Sequence, residues 1–274
     1  MRTYPYIGTT AKPGEAAVNG PKNGAIDAGI SFSMLQLAIS PQEPAAAQAG
    51  GRCEDCAVRA MAICDSLDSD ALAELGRMGR KVHLHAGQTL LWEGDESVLV
   101  GNVLEGMLKL STVTGDGREQ IVGIVFPSDF IGRPFGKDSH QSVTALTDAQ
   151  VCVFRRGAFD SFAGSHGGIE QALLRRTLDE LDRARRWMLL LGRMSATERV
   201  ASLLLEVFDR CAAEPSEAMS LPLSRQQMGD LLGLAIETVS RTMTKFERTG
   251  LIELPGGRRV RLLDRDGLGR IANG

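Results

Sequence analysis

The sequence has no apolar run long enough to cross a membrane. Its most strongly apolar stretch, Trp187–Leu191, falls far short of the roughly 20 residues that a spanning helix needs. No secretory signal opens the chain, because Arg2 is not followed by an apolar core segment. The signs of catalysis are also missing: there is no glycine-rich phosphate loop, no Ser/His/Asp grouping and no pair of acids in a shared pocket. Histidine is scarce, at four residues. Of these, His83 and His85 alternate onto one strand face and read as solvated side chains rather than haem ligands. Cysteine is nearly as rare, at five residues. These absences describe a cytoplasmic protein that is not an enzyme, in a compartment where thiols stay reduced.

What is present is compositionally ordinary. The 274 residues are 43% hydrophobic and 24% charged, as in a soluble globular protein of about two domains. Basic and acidic residues number 31 and 34, a balance that leaves room for nucleic-acid binding through a local basic surface.

The cysteines are not spread evenly. Cys53-Glu-Asp-Cys56 is followed after seven residues by Cys64. Three clustered thiols in a protein without a secretory signal read as metal ligands before they read as disulfides. Thiolates suit zinc or iron–sulfur clusters, and two residues between ligands let one turn aim both sulfurs at a common centre. A fourth ligand must come from elsewhere, and the remaining cysteines are Cys152 and Cys211. A thioredoxin-like exchange role for Cys-x-x-Cys would need a βαβ setting that is absent here.

Residues 1–50 are rich in Gly, Ala and Pro without periodicity, and they read as a disordered extension. Met34 is an alternative start. From His83 to about Phe159, short apolar alternations such as Leu104–Leu110 and Gln120–Phe126 are punctuated by glycines, the pattern of an all-β roll or barrel. Helical spacing follows. Leu174, Leu178, Leu181 and Met188 form a stripe with Arg185 filling the missing step, read as the seam of a helix that pairs with a second copy, the alternative being a helix packed on its own β domain. Ser195-Ala-Thr-Glu198 is a capping box for a second helix. The apolar face of that helix runs through Val200, Leu203, Leu204, Val207, Phe208 and Cys211, which makes Cys211 a core-facing structural thiol.

The last third spells a winged helix-turn-helix. Ser224-Arg-Gln-Gln227 caps a short helix, Gly233-Leu234 turns, and a second helix runs from about Ile236 to Arg248. Gly250 ends it, and residues 251–263 form a hairpin. Glu237, Ser240 and Arg241 share one face near the N-terminus of the second helix. Arg can fork onto guanine and Glu can accept from cytosine, so these three are the candidate base-reading residues. About nine basic and six acidic side chains fall in residues 224–274. Arg225, Lys245, Arg248, Arg258 and Arg259 are the candidates for phosphate contact.

At this point the chain, over roughly residues 50–265, resembles the CRP/FNR transcription regulators and, among them, the oxygen-sensing FNR type. Ile236-Glu-Thr-Val-Ser-Arg241 is similar to the family's recognition helix, Gly87–Asp95 to the first turns of its β-roll, and Asp179–Leu191 to its dimerisation helix. The resemblance implies an α+β fold. A cysteine-bearing segment and a β-roll, a jelly roll like those that bind cyclic nucleotides, would occupy 51–165. A dimerisation helix would follow over 166–194 and a winged helix-turn-helix over 195–274.

It also implies that Cys152, in Val151–Phe154, completes a [4Fe-4S] site with Cys53, Cys56 and Cys64. The seven-residue gap before Cys64 resembles the alphaproteobacterial proteins of this type rather than the enteric one, whose gap is five. The implied partners are double-stranded DNA at inverted TTGAT-like half-sites, a second copy in a homodimer, and RNA polymerase. No membrane partner is expected. Cyclic nucleotide is not expected either, because Gly132–Gly136 lacks the Glu and the Arg-Ser pair of a nucleotide cassette.

Overall fold

The computed structural model describes residues 53–211 and 218–274. The disordered extension expected over 1–50, and the start at Met34, lie outside them.

The described chain begins with three short 3-10 turns, Cys53–Asp55, Arg59–Met61 and Ile63–Ser66, and then helix α1, Ser69–Met78. The carboxylate of Asp68 caps α1 by accepting from Ala71 N. Eight strands follow: β1 Arg80–Leu84, β2 Thr89–Leu91, β3 Leu99–Glu105, β4 Leu108–Val113, β5 Glu119–Val125, β6 Phe130–Gly132, β7 Ser142–Ala145 and β8 Ala149–Arg155. They form two antiparallel four-stranded sheets, ordered β1-β8-β3-β6 and β2-β7-β4-β5, as a β-roll requires.

Leu104–Leu110, expected as one strand-like piece, is cut in two. Gly106 sits at φ 77° between β3 and β4, and a side chain there would also collide with Asp148 O.

Strand β3 departs from simple in–out alternation. Leu99, Val100, Gly101, Asn102 and Val103 are all buried, because this sheet is covered on both faces. One face looks into the roll. The other carries Val100 and Phe154 into a separate small core with Ile63, Leu72 and Leu75 from the N-terminal segment, and Phe159, Phe162 and Ile169 from the helices after β8. Phe159 ties this layer together, with ring centroids 5.5 Å from Phe130 and 5.8 Å from Phe154.

Helix α2, Arg156–Ser165, leads into the long α3, Gly167–Arg193, and then α4, Ala196–Arg210. Both arms of the capping box at Ser195 and Glu198 are made. Asp129, buried at the end of β5's turn, joins three parts of the chain. It accepts from Phe126 N at 3.0 Å and pairs with Arg183 of α3 at 3.5 Å and Arg210 of α4 at 2.7 Å.

The final domain has α5 (Arg225–Leu232) and α6 (Ile236–Arg248), separated by a left-handed Gly233 at φ 63°. The hairpin β10 (Ile252–Gly256) and β11 (Arg259–Leu262) forms the wing. Two elements here had no counterpart in the sequence reading: β9, Met219–Ser220, which adds a third strand to the wing, and a closing helix α7, Arg265–Ala272. No described helix is long and apolar enough to cross a membrane.

Candidate functional site

Four cysteines that are far apart in sequence line one small cavity: Cys53, Cys56, Cys64 and Cys152, with Lys81 and Asn102 beside them. All five cysteines of the chain are free thiols. Three of the four sulfurs ride on the irregular 53–66 segment. The fourth is placed by strand pairing, since Cys152 lies on β8 with Lys81 of β1 opposite it on one side and Asn102 of β3 on the other. Directly opposed residues of antiparallel strands share a face, so this register delivers all three side chains to the pocket. The cavity measures ≈ 50 Å³ and is lined from both the 53–66 segment and the sheet. Among the described residues, no three His, Cys, Asp or Glu side chains already converge as ligands of a single ion do.

Helix α1 approaches the thiols closely because it carries no side chain where it meets them. A Cβ on Gly76 would lie 2.9 Å from Cys53 Sγ. A Cβ on Gly79 would lie 3.2 Å from Cys152 Sγ and 2.8 Å from the Phe154 ring. Burial pushes the Cys64 thiol up to about 11 and Cys152 up to about 12, and the neighbouring thiols push the same way. Burial also raises Cys53, against partial compensation from Lys81 and Arg59. Thiols so placed hold their protons until a cation compensates the charge, and metal binding supplies that cation while releasing the protons.

The donor set is four soft sulfurs, the right chemistry for an iron–sulfur cluster or zinc. The Asn102 amide faces Cys64 Sγ from 3.7 Å, and its carbonyl oxygen is buried with no partner among the described residues. The residues therefore fit a thiolate-held metal group. Cys211 does not join them. It lies at the C-terminal cap of α4, 3.9 Å from Met107 Sδ and packed against the other core.

At the far end of the chain, α6 buries Val239, Thr242, Met243 and Phe246. The same 3.6-residue period puts Glu237, Ser240 and Arg241 on the opposite, exposed face. The Arg241 guanidinium rests 3.4 Å from Thr238 Oγ1, a weak restraint that leaves its fork available. Lys245, Arg248, Arg258 and Arg259 are exposed around it. Arg225 differs: it is half-buried at the start of α5, with Nη1 3.5 Å from Met228 Sδ, and burial lowers its pKa.

The seam residues Leu174, Leu178, Leu181, Arg185 and Met188 all lie on exposed positions of α3. Leu174 is 60% and Met188 72% exposed, so this single chain leaves an apolar stripe uncovered. A further cavity of ≈ 430 Å³ lies between the roll and α3, bordered by Gly132, Arg133, His140, Arg176 and Arg183.

Sequence reasoning missed Lys81, Asn102, Gly76 and Gly79. Their roles depend on strand register and helix docking, which no local motif encodes.

Comparison with known proteins agrees with this layout. Residues 81–166 match the family described as cyclic nucleotide-binding domain, and residues 198–271 match the Crp-like helix-turn-helix domain. The chain is 44% identical over 219 residues to the transcriptional activator protein FnrL of Cereibacter sphaeroides, spanning 78% of this chain and 88% of that protein. It is 42% identical over 217 residues to the nitrogen fixation regulation protein FixK of Bradyrhizobium diazoefficiens, spanning 78% and 91%. The solved structure of FixK2 from Bradyrhizobium japonicum superposes with a TM-score of 0.66 at 31% identity, covering 70% of this chain and 96% of that one.

The β-roll, long helix and helix-turn-helix in this order, with relatives that are transcription regulators rather than enzymes, define a DNA-binding regulator. The chain belongs to the CRP/FNR family of transcription regulators, whose members similar to it include the activator FnrL and the regulator FixK.

Proposed function

We propose that this chain is an oxygen-responsive member of its family. It acts as a homodimer on an inverted-repeat TTGAT-like site while Cys53, Cys56, Cys64 and Cys152 hold a [4Fe-4S] cluster. The observation that carries this reading is the meeting of four free thiols, from both ends of the sensor domain, in one cavity. When bound, such a cluster supplies a cationic, oxygen-labile centre for the four thiolates.

The chain's own residues supply the rest. Holding one group between them, the four thiolates would tether the 53–66 segment to β8. That segment abuts the start of α3: Ser66 O lies 3.0 Å from where a Cβ of Gly168 would be, and Ile63 shares a core with Ile169. Losing the tether loosens the first turns of the helix that carries the seam. A change of roughly 3 kcal/mol shifts the dimerisation constant about a hundredfold, and a two-fold symmetric site needs both recognition helices at once.

Cyclic nucleotide is not the effector in this reading, since Gly132–Gly136 offers no carboxylate for a ribose. RNA polymerase is the partner through which an activator works. A structural zinc site, or a cysteine site responsive to nitric oxide, is the second reading, because the same four sulfurs suit zinc. Purification under nitrogen followed by an absorption spectrum and counts of iron, sulfide and zinc separates them. Brown protein with iron and sulfide supports the cluster, and colourless protein with zinc refutes it.

The α6 surface carries its own test. Arg241→Ala is expected to cost roughly 1–3 kcal/mol and to relax the preference at the one base pair it reads. Arg258→Ala is expected to weaken binding to all sequences alike and flatten the salt dependence. Competition across single-base variants of the half-site checks both. An even loss for every variant with Arg241→Ala would make that side chain a phosphate contact.

A further inference from the structure

Asn102 has no task in packing or in DNA binding. It sits in the middle of β3, 1% exposed, in a run otherwise made of Leu99, Val100, Gly101 and Val103. Half of its amide is unpaired, because Oδ1 is buried without a hydrogen-bond partner. A buried amide left half-satisfied destabilises a fold, and an apolar residue of similar shape would serve the sheet better. Among the described residues, its side chain makes one polar contact, from Nδ2 to Cys64 Sγ at 3.7 Å. The register that carries Cys152 to the pocket carries Asn102 there too, since the two are directly opposed.

We infer that Asn102 is a positioning residue for the metal centre: its amide N–H donates to the Cys64 sulfur, holds it as a thiolate ligand and slows the release of iron. The inference rests on the cluster reading above. Donation to sulfur is one of the means by which a protein tunes such a site, and partners outside the ligand set change metal retention by about ten- to a hundredfold when removed. Lys81, opposite Cys152 on its other side, adds positive charge but no comparable buried contact.

The test uses full-length protein purified under nitrogen, as wild type, Asn102→Leu and Asn102→Asp. Leu fills the site without a donor. Asp keeps the shape but places a carboxylate against the sulfur. Iron and sulfide are counted first, and then iron release to excess ferrous chelator is followed under nitrogen. The metal-free forms are melted as a control for the fold. Both variants are expected to release iron about tenfold faster than wild type, while metal-free Asn102→Leu melts no lower than wild type. Should Asn102→Leu load no iron, the Asp variant alone decides. Release at the wild-type rate from iron-loaded variants overturns the inference and leaves the cluster reading standing. A wild-type protein without iron overturns both.

Discussion

Replacing any one of Cys53, Cys56, Cys64 or Cys152 by serine is expected to drop iron from about four atoms per chain to near zero in protein purified under nitrogen. A hydroxyl is a hard donor of high pKa and does not substitute for a soft thiolate. No other cysteine stands close enough to take over, since Cys211 packs against Met107 in a different core. Cys211→Ser is therefore expected to retain its full iron. The four losses should be comparable even though the sulfurs reach the pocket by different routes, three on the 53–66 segment and one on β8. Iron and sulfide counts on the five variants check this. Loss of iron in Cys211→Ser together with retention in Cys152→Ser would move the fourth ligand to Cys211.

Leu181→Asp is expected to separate metal binding from dimerisation. Leu181 is exposed on α3 in line with Leu174 and Leu178, and two-fold pairing would bring each copy's aspartate into the same apolar seam. Burying an unpaired carboxylate costs several kcal/mol. The variant should sediment as a monomer at concentrations where wild type is a dimer. Its affinity for the inverted repeat should fall by at least about a hundredfold. Iron content should stay at the wild-type level, because Leu181 lies outside the core shared by the cysteine segment and α3. Sedimentation, DNA titration and iron counts under nitrogen make the three comparisons. A variant that remains dimeric would remove this face of α3 from the interface.

Much of this architecture was legible in local chemistry. The capping boxes at Ser195 and Ser224, the left-handed Gly233 and the stripe Val239, Met243, Phe246 each fix an element within a few residues, and the helices begin and turn where they say. The exposed face holding Glu237, Ser240 and Arg241 follows from the same helical period. The cysteine triad was equally plain, because its spacing is local. Cys152 was not: its pattern is that of one more strand residue, and only resemblance to a family singled it out.

What stayed hidden was non-local. The burial of Leu99–Val103 on both faces of β3 arises because α1 and the 3-10 turns cover its outer face. Gly76 and Gly79 look like ordinary glycines near a helix end until the thiols are placed against them. Asn102 looks like a polar interruption in an apolar strand, and its meaning depends on the pairing of β3 with β8. Helix α7 was overlooked because it is short and its apolar positions, Leu268 and Ile271, are few. Asp264 nevertheless caps it by accepting from Gly267 N.

In the proposed function the thiol-held centre governs DNA binding. The most direct measurement follows one anaerobic sample through a stepwise titration with air, recording the visible absorption of the centre and the affinity for an inverted TTGAT-like repeat at each step. The account predicts that absorption and affinity fall together, with dimer giving way to monomer over the same steps. Full affinity retained after the absorption has gone would contradict it.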